Sequence, residues 1–364
     1  MRESRPKLVL LDGRAGHREQ ITSALGPLYS IKDFALTADA LRYAHTIEPN
    51  AILISEARAQ DMSYGLIKSM RLDPHFAATP IVILLEGGDT GQRAKALRAG
   101  ATSCLAPPYS LSSFIHIIST ALSAVVEKQW ESLPPAQAAA LKCGVSVFNS
   151  VSDRLAAGEE IAYCEINAAC APLLAAVNDQ DINGLLQGVR HHDNYTFSHS
   201  LRVSVYLSML GRSCGLSFED QNILTIGGLL HDIGKIAIPS LILNKAGKLN
   251  ADEYQVMKGH VPATLKLLAQ APGLPRGAQI IAGQHHEKID GSGYPDGLSG
   301  GRLNDLARMA AIADVFGALT DRRVYKAAMS PERAFAIMAG EMRQHLDMGL
   351  LSLFRQMLLD TKLQ

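Results

Sequence analysis

Apolar residues follow two different patterns along this chain. Over residues 1–125 they come as short unbroken runs: Leu8-Val9-Leu10-Leu11, Ala51-Ile52-Leu53-Ile54 and Ile81-Val82-Ile83-Leu84-Leu85. Runs of this length suit strands, and an unbroken apolar run implies burial on both faces. Amphipathic stretches such as Gly65 to Arg71 and Gln92 to Arg98 lie between them. Strands alternating with helices predict a parallel sheet covered on both sides. From Leu111 to Ala157 the chain is alanine-rich and helical, interrupted by Pro134-Pro135. There Ile115, Ile118, Leu122 and Val125 form one apolar stripe. It either packs on its own sheet or continues as a dimerisation helix. A further helix runs from Glu159 to Val177 and ends at Asn178-Asp179. Beyond Asp181 helical periodicity takes over, in Leu201 to Met209, Ile223 to Leu230 and Met309 to Leu319. The predicted fold is therefore multidomain: an α/β domain over 1–125, a helical linker over 126–180 and an all-α bundle over 181–364.

Composition narrows the partners. The 35 basic and 35 acidic side chains cancel, so no global field draws the chain to a nucleic-acid polymer or an anionic membrane. Cys104, Cys143, Cys164, Cys170 and Cys214 form no CxxC pair and are odd in number. That predicts a reduced chain without a disulfide framework. No segment has the length of a membrane span and nothing reads as a signal peptide. The expectation is a soluble, cytoplasmic protein.

The α/β pattern, with Gly100-Ala101 before a short strand and Pro107-Pro108 after it, resembles a response-regulator receiver domain. Its phosphorylation chemistry is missing. Asp12 is followed by Gly13, so at most part of the metal-binding acidic pair survives. The expected phosphoacceptor position, six residues after Pro49, is Ser55. The expected hydroxyl position is Leu85 and the expected lysine is Pro107. Glu56 is the nearest carboxylate that could mimic the acceptor. The expectation is a receiver-like domain that is not phosphorylated and serves in docking or dimerisation.

Seven potential metal ligands lie in the C-terminal half: His199, His231, Asp232, His260, His285, His286 and Asp314. They are too many for one ion and suit two. His231-Asp232 follow the apolar run Ile226 to Leu230, and Asp314 lies within Ala310 to Phe316. Polar groups on such helices need partners, and a buried carboxylate needs a cation. Thr196 is the predicted N-cap of a helix carrying His199 and Arg202 on one face. Asp193 is expected to cap or orient nearby, and His191 and His192 to be exposed.

The order His231-Asp232-Ile233-Gly234-Lys235, then His285-His286-Glu287, then Asp290-Gly291-Ser292-Gly293-Tyr294-Pro295 resembles the HD-GYP family of metal-dependent cyclic di-GMP phosphodiesterases. The resemblance implies Lys235 on the scissile phosphate, with Asp232 bridging the metals. It implies a substrate-binding loop of Gly291, Gly293, Tyr294 and Pro295, and phosphate or guanine contacts from Arg323 and Lys326. Arg323 matches the family, whereas Lys326 stands where family members carry arginine and lacks its fork. Some members bind a third metal through a glutamate four residues before the first histidine. That position is Tyr195 here, which implies two metals. A second aspartate, usual three residues after the last ligand, is Gly317 here.

Two six-coordinate ions offer about twelve positions; the protein ligands, a bridging Asp232 and a bridging hydroxide leave about two for phosphate oxygens. Mixed imidazole and carboxylate ligands without thiolate favour Fe or Mn, with zinc as the alternative. The leading expectation is hydrolysis of cyclic di-GMP to pGpG, and on to GMP if a second cleavage follows. The alternatives are a weakly catalytic metal- and nucleotide-binding effector, or a phosphohydrolase for another cyclic dinucleotide. A homodimer formed through the receiver-like domain or the linker, and a signalling protein partner, complete the expectation.

Overall fold

The apolar runs become strands of one sheet: β1 (Lys7–Leu11), β2 (Ser30–Phe34), β3 (Ala51–Ser55), β4 (Ile81–Leu84) and β5 (Ser103–Leu105). All pair in parallel, in the order β2-β1-β3-β4-β5. This is the doubly wound order of receiver-type folds. The structure, a computed structural model, describes residues 5–56, 60–178, 182–189, 192–245, 247–321 and 329–361.

Alternation within each strand explains why the runs are apolar throughout. Val9, Ile52, Ile54, Ile81 and Ile83 enter one core. They pack against Ala40 and Ala44 of α2 (Thr37–Ile47), Ile67 and Met70 of α3 (Gln60–Leu72), and Ala96 of α4 (Thr90–Ala99). Leu8, Leu10, Leu53, Val82 and Leu84 point to the other face. There they meet Ile21 and Leu25 of α1 (Ala15–Leu25) and Phe114, Ile118 and Ala121 of α5 (Leu111–Gln129). The α5 stripe therefore packs on its own sheet: Ile118 is fully buried, with Ile115 and Leu122 half-buried beside it. β2, Ser30-Ile31-Lys32-Asp33-Phe34, has no apolar run. It lies at the sheet edge, where one side is solvated and the periodicity signal is lost.

At the carboxyl ends of the strands, Asp12 is buried and fully engaged. It accepts from Ser55 Oγ at 2.5 Å, from the Arg14 main chain at 2.8 Å and from the Arg14 guanidinium at 3.2 Å, and His17 contacts the same carboxylate. Burial would raise its pKa, but the Arg14 hydrogen bond and the Ser55 hydroxyl win and hold it at about 2. Glu56 is no surface mimic of a phosphoacceptor. It is buried, accepting from the Tyr64 hydroxyl at 2.6 Å and from Glu86 N at 2.9 Å.

The chain divides into two compact units, Met1–Lys128 with Asn244–Gly247, and Gln129–Leu243 with Lys248–Gln364. The second is helical. Its first helices are α6 (Pro135–Ala156), α7 (Tyr163–Asn178), α8 (Ile182–Gly188), α9 (Tyr195–Ser213) and α10 (Phe218–Leu230). They are followed by α11 (Ser240–Leu243), α12 (Ala251–Lys258), α13 (His260–Leu268), α14 (Arg276–Gln284), α15 (Asp305–Thr320), α16 (Pro331–Gly340) and α17 (Met348–Asp360). Helices α6 and α7 pack on each other and on α10, within this unit. Trp130 is buried at its start and donates from Nε1 to Gly188 O at 2.8 Å.

Two sequence expectations fail here. His192 is buried, not exposed: its ring stacks on Trp130 at 5.9 Å and meets Phe197 at 5.0 Å. Its partners are distant in sequence, so no local pattern announces them. The cap of α9 is Asn194, whose side chain accepts from Phe197 N, while Thr196 lies inside the helix. His191 lies outside the described residues. Among the described residues no helix is long and apolar enough to cross a membrane.

Asp12 yields a pH prediction. Its folded pKa, about 2, lies below the ordinary 3.8, so its stabilising contribution is present above about pH 4 and lost as pH falls through 2. Asp12→Asn should destabilise the first unit by about 2 kcal/mol at pH 6. In denaturant melts of the full chain the gap to wild type should close towards pH 2. A gap independent of pH would show that the charge is not what matters.

Candidate metal centre

The site begins where α10 stops. The helix is sealed by Leu224, Ile226, Leu229 and Leu230 and ends at His231, its C-cap. The chain then turns through Asp232 into a 3-10 turn, Ile233–Ala237. Gly234 permits that turn to lie on α13. A Cβ there would come within 2.3 Å of His260 O and 2.4 Å of Thr264 N. Instead Gly234 N donates to Thr264 Oγ1 at 2.9 Å. His260, the first residue of α13, is thereby brought beside Asp232. The C-cap of α14 supplies His285, with His286 next to it. The buried interiors of α9 and α15 supply His199 and Asp314.

The Asp232 carboxylate stands between two groups of imidazoles. Its Oδ1 faces His260 Nε2 at 3.3 Å and His285 Nε2 at 3.8 Å. Its Oδ2 faces His231 Nε2 at 3.3 Å and His199 Nε2 at 3.9 Å. Asp314 Oδ1 lies 2.8 Å from His199 Nε2 and 3.9 Å from His231 Nε2, while its Oδ2 lies 3.8 Å from His286 Nδ1. Two clusters with ligand atoms within 4.8 Å of one another result: Asp232, His260, His285 and His286, and His199, His231 and Asp314. All seven ligands expected from sequence meet in one place.

The remaining ring nitrogens orient the donors. His231 Nδ1–H donates to Gly228 O at 2.7 Å, His260 Nδ1–H to Met257 O at 2.7 Å, and His285 Nδ1–H to Ala282 O at 3.0 Å. Fixing the proton on Nδ1 leaves the Nε2 lone pair facing inward. His231 Nε2, His260 Nε2, His285 Nε2 and Asp232 Oδ1 are buried without a hydrogen-bond partner. Orphaned polar atoms at one locus are costly unless a cation takes them. The donor set of imidazole and carboxylate fits a divalent metal at each cluster.

Electrostatics agree. Burial would raise the Asp232 pKa, but Lys235 and His231 hold it well below the carboxylate range. Lys235 Nζ donates directly to Asp232 Oδ2. Burial, helped by the neighbouring His286 and His231, keeps His285 neutral well below its usual pKa. Burial likewise pushes His286 down to about 3. His199 differs. Burial would lower its pKa, but Asp314 on one ring nitrogen and Asp321 on the other raise it to about 9.

The loop after His286 is fastened to the same centre. A Cβ on Gly293 would lie 2.5 Å from Glu287 Cα and Lys288 N, so only glycine lets this strand of chain pass. Tyr294 N donates to His286 O at 3.2 Å, and the Tyr294 ring stacks on His286 at 4.7 Å. One face of Tyr294 is thus spent on aligning that imidazole. Gly291 takes a positive φ of 80°, and Pro295 follows Tyr294 through a cis bond. Tyr195 stacks on the ring of His199 at 5.6 Å.

Two contributors, Glu287 and Asp321, went unread in the sequence. Glu287 is buried and its carboxylate accepts from Asp296 N at 2.7 Å and Leu298 N at 3.0 Å, closing the loop. Asp321 accepts from His199 Nδ1, and Arg202 pairs with Asp321. The adjacency of Glu287 to the histidine pair was a signal for the first; nothing local marked Asp321. Arg323 and Lys326 lie outside the described residues.

Two outcomes follow. A histidine whose pKa is raised from 6.5 to about 9 stabilises the fold fully below pH 6.5, and that contribution is lost as pH rises through 9. Chelator-treated protein should therefore lose melting temperature between pH 6.5 and 9, while metal-loaded protein holds steady. Gly234→Ala should cost roughly 1–3 kcal/mol by overpacking and weaken metal retention, as read by elemental analysis after desalting.

Comparison with known proteins places this geometry. The family model of the HD domain matches residues 187–350. The cyclic di-GMP phosphodiesterase response regulator RpfG of Xanthomonas campestris is 28% identical over 334 residues, which are 90% of this chain and 82% of that protein. The 3′3′-cGAMP-specific phosphodiesterase 1 of Vibrio cholerae is 42% identical over 147 residues, 40% of this chain, and the match spans 34% of that relative's length. The solved structure of Bd1817, an HDG"Y"P protein from Bdellovibrio bacteriovorus, superposes with a TM-score of 0.52 at 19% identity, covering 66% of this chain and 78% of that one. The second unit of this chain thus carries an HD domain, and all seven converging histidine and aspartate side chains fall inside the matched span.

Proposed function

We propose that this protein is a metal-dependent phosphodiesterase that hydrolyses cyclic di-GMP to linear pGpG at a binuclear centre. The observation that carries the proposal is the Asp232 carboxylate, with one oxygen turned to each histidine group and Lys235 on its edge. When bound, two divalent ions, Fe or Mn by the donor set, would make hydroxide available at neutral pH and offset phosphate charge. Asp232, His260, His285 and His286 would hold one ion and His199, His231 and Asp314 the other, with Asp232 facing both groups.

The chain's own groups supply the rest. The Lys235 ammonium, side chain 15% exposed, is held beside the cluster by Asp232. There it is suited to neutralise a phosphate oxygen and to protonate the 3′ oxygen that leaves phosphorus. Tyr294 and Glu287 keep the Gly291–Pro295 loop and His286 in register, so the substrate meets a formed site. Arg323 and Lys326 extend this reading as phosphate or guanine contacts, with the fork of Arg323 the stronger partner. The first unit, with Ser55 where a phosphoacceptor is expected and Asp12 already neutralised, fits a regulatory or dimerising role without phosphorylation.

A second reading is favoured by one comparison: the HD-domain region is 42% identical to a 3′3′-cGAMP-specific enzyme. Both substrates are cyclic dinucleotides with two 3′–5′ linkages, differing in one base. Anaerobic incubation of iron- or manganese-loaded protein with each substrate, followed by chromatography, separates the readings. Conversion of cyclic di-GMP to pGpG at the higher kcat/KM is the expected result, and a preference for cGAMP would favour the second reading. Asp232→Ala should lose bound metal and roughly three orders of magnitude in rate, the scale of several kcal/mol of charge stabilisation. Undiminished hydrolysis by that variant without metal would refute the metal mechanism.

A further inference from the structure

We propose that Asp321, clamped by Arg202, is the positioning carboxylate of His199, and that it acts through the space left by Gly317. The inference rests on the metal-centre reading above. His199 is unlike the other inward-facing histidines. The outer nitrogens of His231, His260 and His285 all bond to main-chain carbonyls three residues back in the chain. His199 lies in the second turn of α9, and its ring is turned away from that helix towards α15. Its Nδ1–H needs an acceptor from another element, and Asp321 Oδ2 provides one at 2.8 Å.

Asp321 is itself held on two sides. Its main-chain N–H donates to Gly317 O at 2.7 Å, capping α15. Its Oδ1 lies 2.7 Å from Arg202 Nε. Arg202 stands one turn beyond His199 on α9 and donates from Nη2 to the Tyr206 hydroxyl at 3.1 Å. The carboxylate is therefore fixed to α15 by its backbone and to α9 by an ion pair, and it is buried.

Gly317 explains why the carboxylate comes from residue 321. A Cβ at 317 would stand 3.3 Å from His199 Cε1 and 3.4 Å from His199 Nδ1. A Cβ there would sit tight against the ring, which would have to give by a few tenths of an ångström, on the side that Asp321 now engages. With glycine there, the imidazole lies close against α15 and receives its partner from one turn further on. A carboxylate on Nδ1 fixes the tautomer, holds the ring and makes Nε2 a stronger donor to a metal. Asp321 is a positioning residue: it touches His199 and not the reacting atoms.

The test is a titration of the chelator-treated full chain with Mn2+, reading free Mn2+ by electron paramagnetic resonance. Asp321→Asn keeps the shape and an acceptor oxygen but removes the charge. It is expected to weaken one of the Mn2+ sites about 10–100-fold and leave the other unchanged. Arg202→Met should shift the same site in the same direction, because it frees Asp321 while leaving the His199 contact in place. Unchanged Mn2+ affinity in Asp321→Asn overturns the proposal, as does equal weakening of both sites. No nucleotide is present in this titration. A wild-type protein that binds Mn2+ and shows the Asp321 effect, yet leaves cyclic di-GMP intact, would sink the hydrolase reading alone.

Discussion

A carboxylate sealed among imidazoles inside a helical bundle is unstable unless positive charge reaches it, and that constraint organises the second unit of this protein. Asp232 is 1% exposed. Lys235 supplies one cation, but it meets only the edge of Oδ2. Oδ1 and three inward Nε2 atoms remain without hydrogen-bond partners. Each surrounding element is arranged so that these atoms stay unpaired and aimed at common points. Helix α10 stops at His231, Gly234 lets the turn lie on α13, and carbonyls of α10, α12 and α14 hold the outer nitrogens.

The first unit offers an internal contrast. Asp12 is also buried, and it too lies beside a hydroxyl and a histidine. There the compensating charge is Arg14, a residue of the chain itself, which bonds the carboxylate through main chain and guanidinium. That pocket has settled its electrostatics internally and has no orphaned donor set to offer a metal. The Asp232 centre has not: its Oδ1 and the facing Nε2 atoms remain buried without a hydrogen-bond partner.

Around the metal centre lies a second layer whose members act through others. Glu287 closes the loop that carries Tyr294, Tyr294 aligns His286, Tyr195 covers His199, and Asp321 with Arg202 holds His199 from α15. At a bound metal such groups would set ligand angles and donor strength, so their substitution would be felt without any loss of a ligand.

Legibility in the sequence followed the range of the interaction. The strands β1, β3 and β4 were readable because burial on both faces leaves unbroken apolar runs, whereas β2, half-solvated at the edge, was not. The seven ligands were readable as a set because polar residues in apolar helices need an explanation and their order was informative. What the chain alone could not reveal were pairings between residues far apart: His192 on Trp130, Asn194 rather than Thr196 as the cap, and Asp321 on His199 across 122 positions. Composition and periodicity record which residues must be buried. Which buried donor meets which acceptor is decided only when helices pack, because a hydrogen bond depends on separations of a few ångströms that the linear order does not encode.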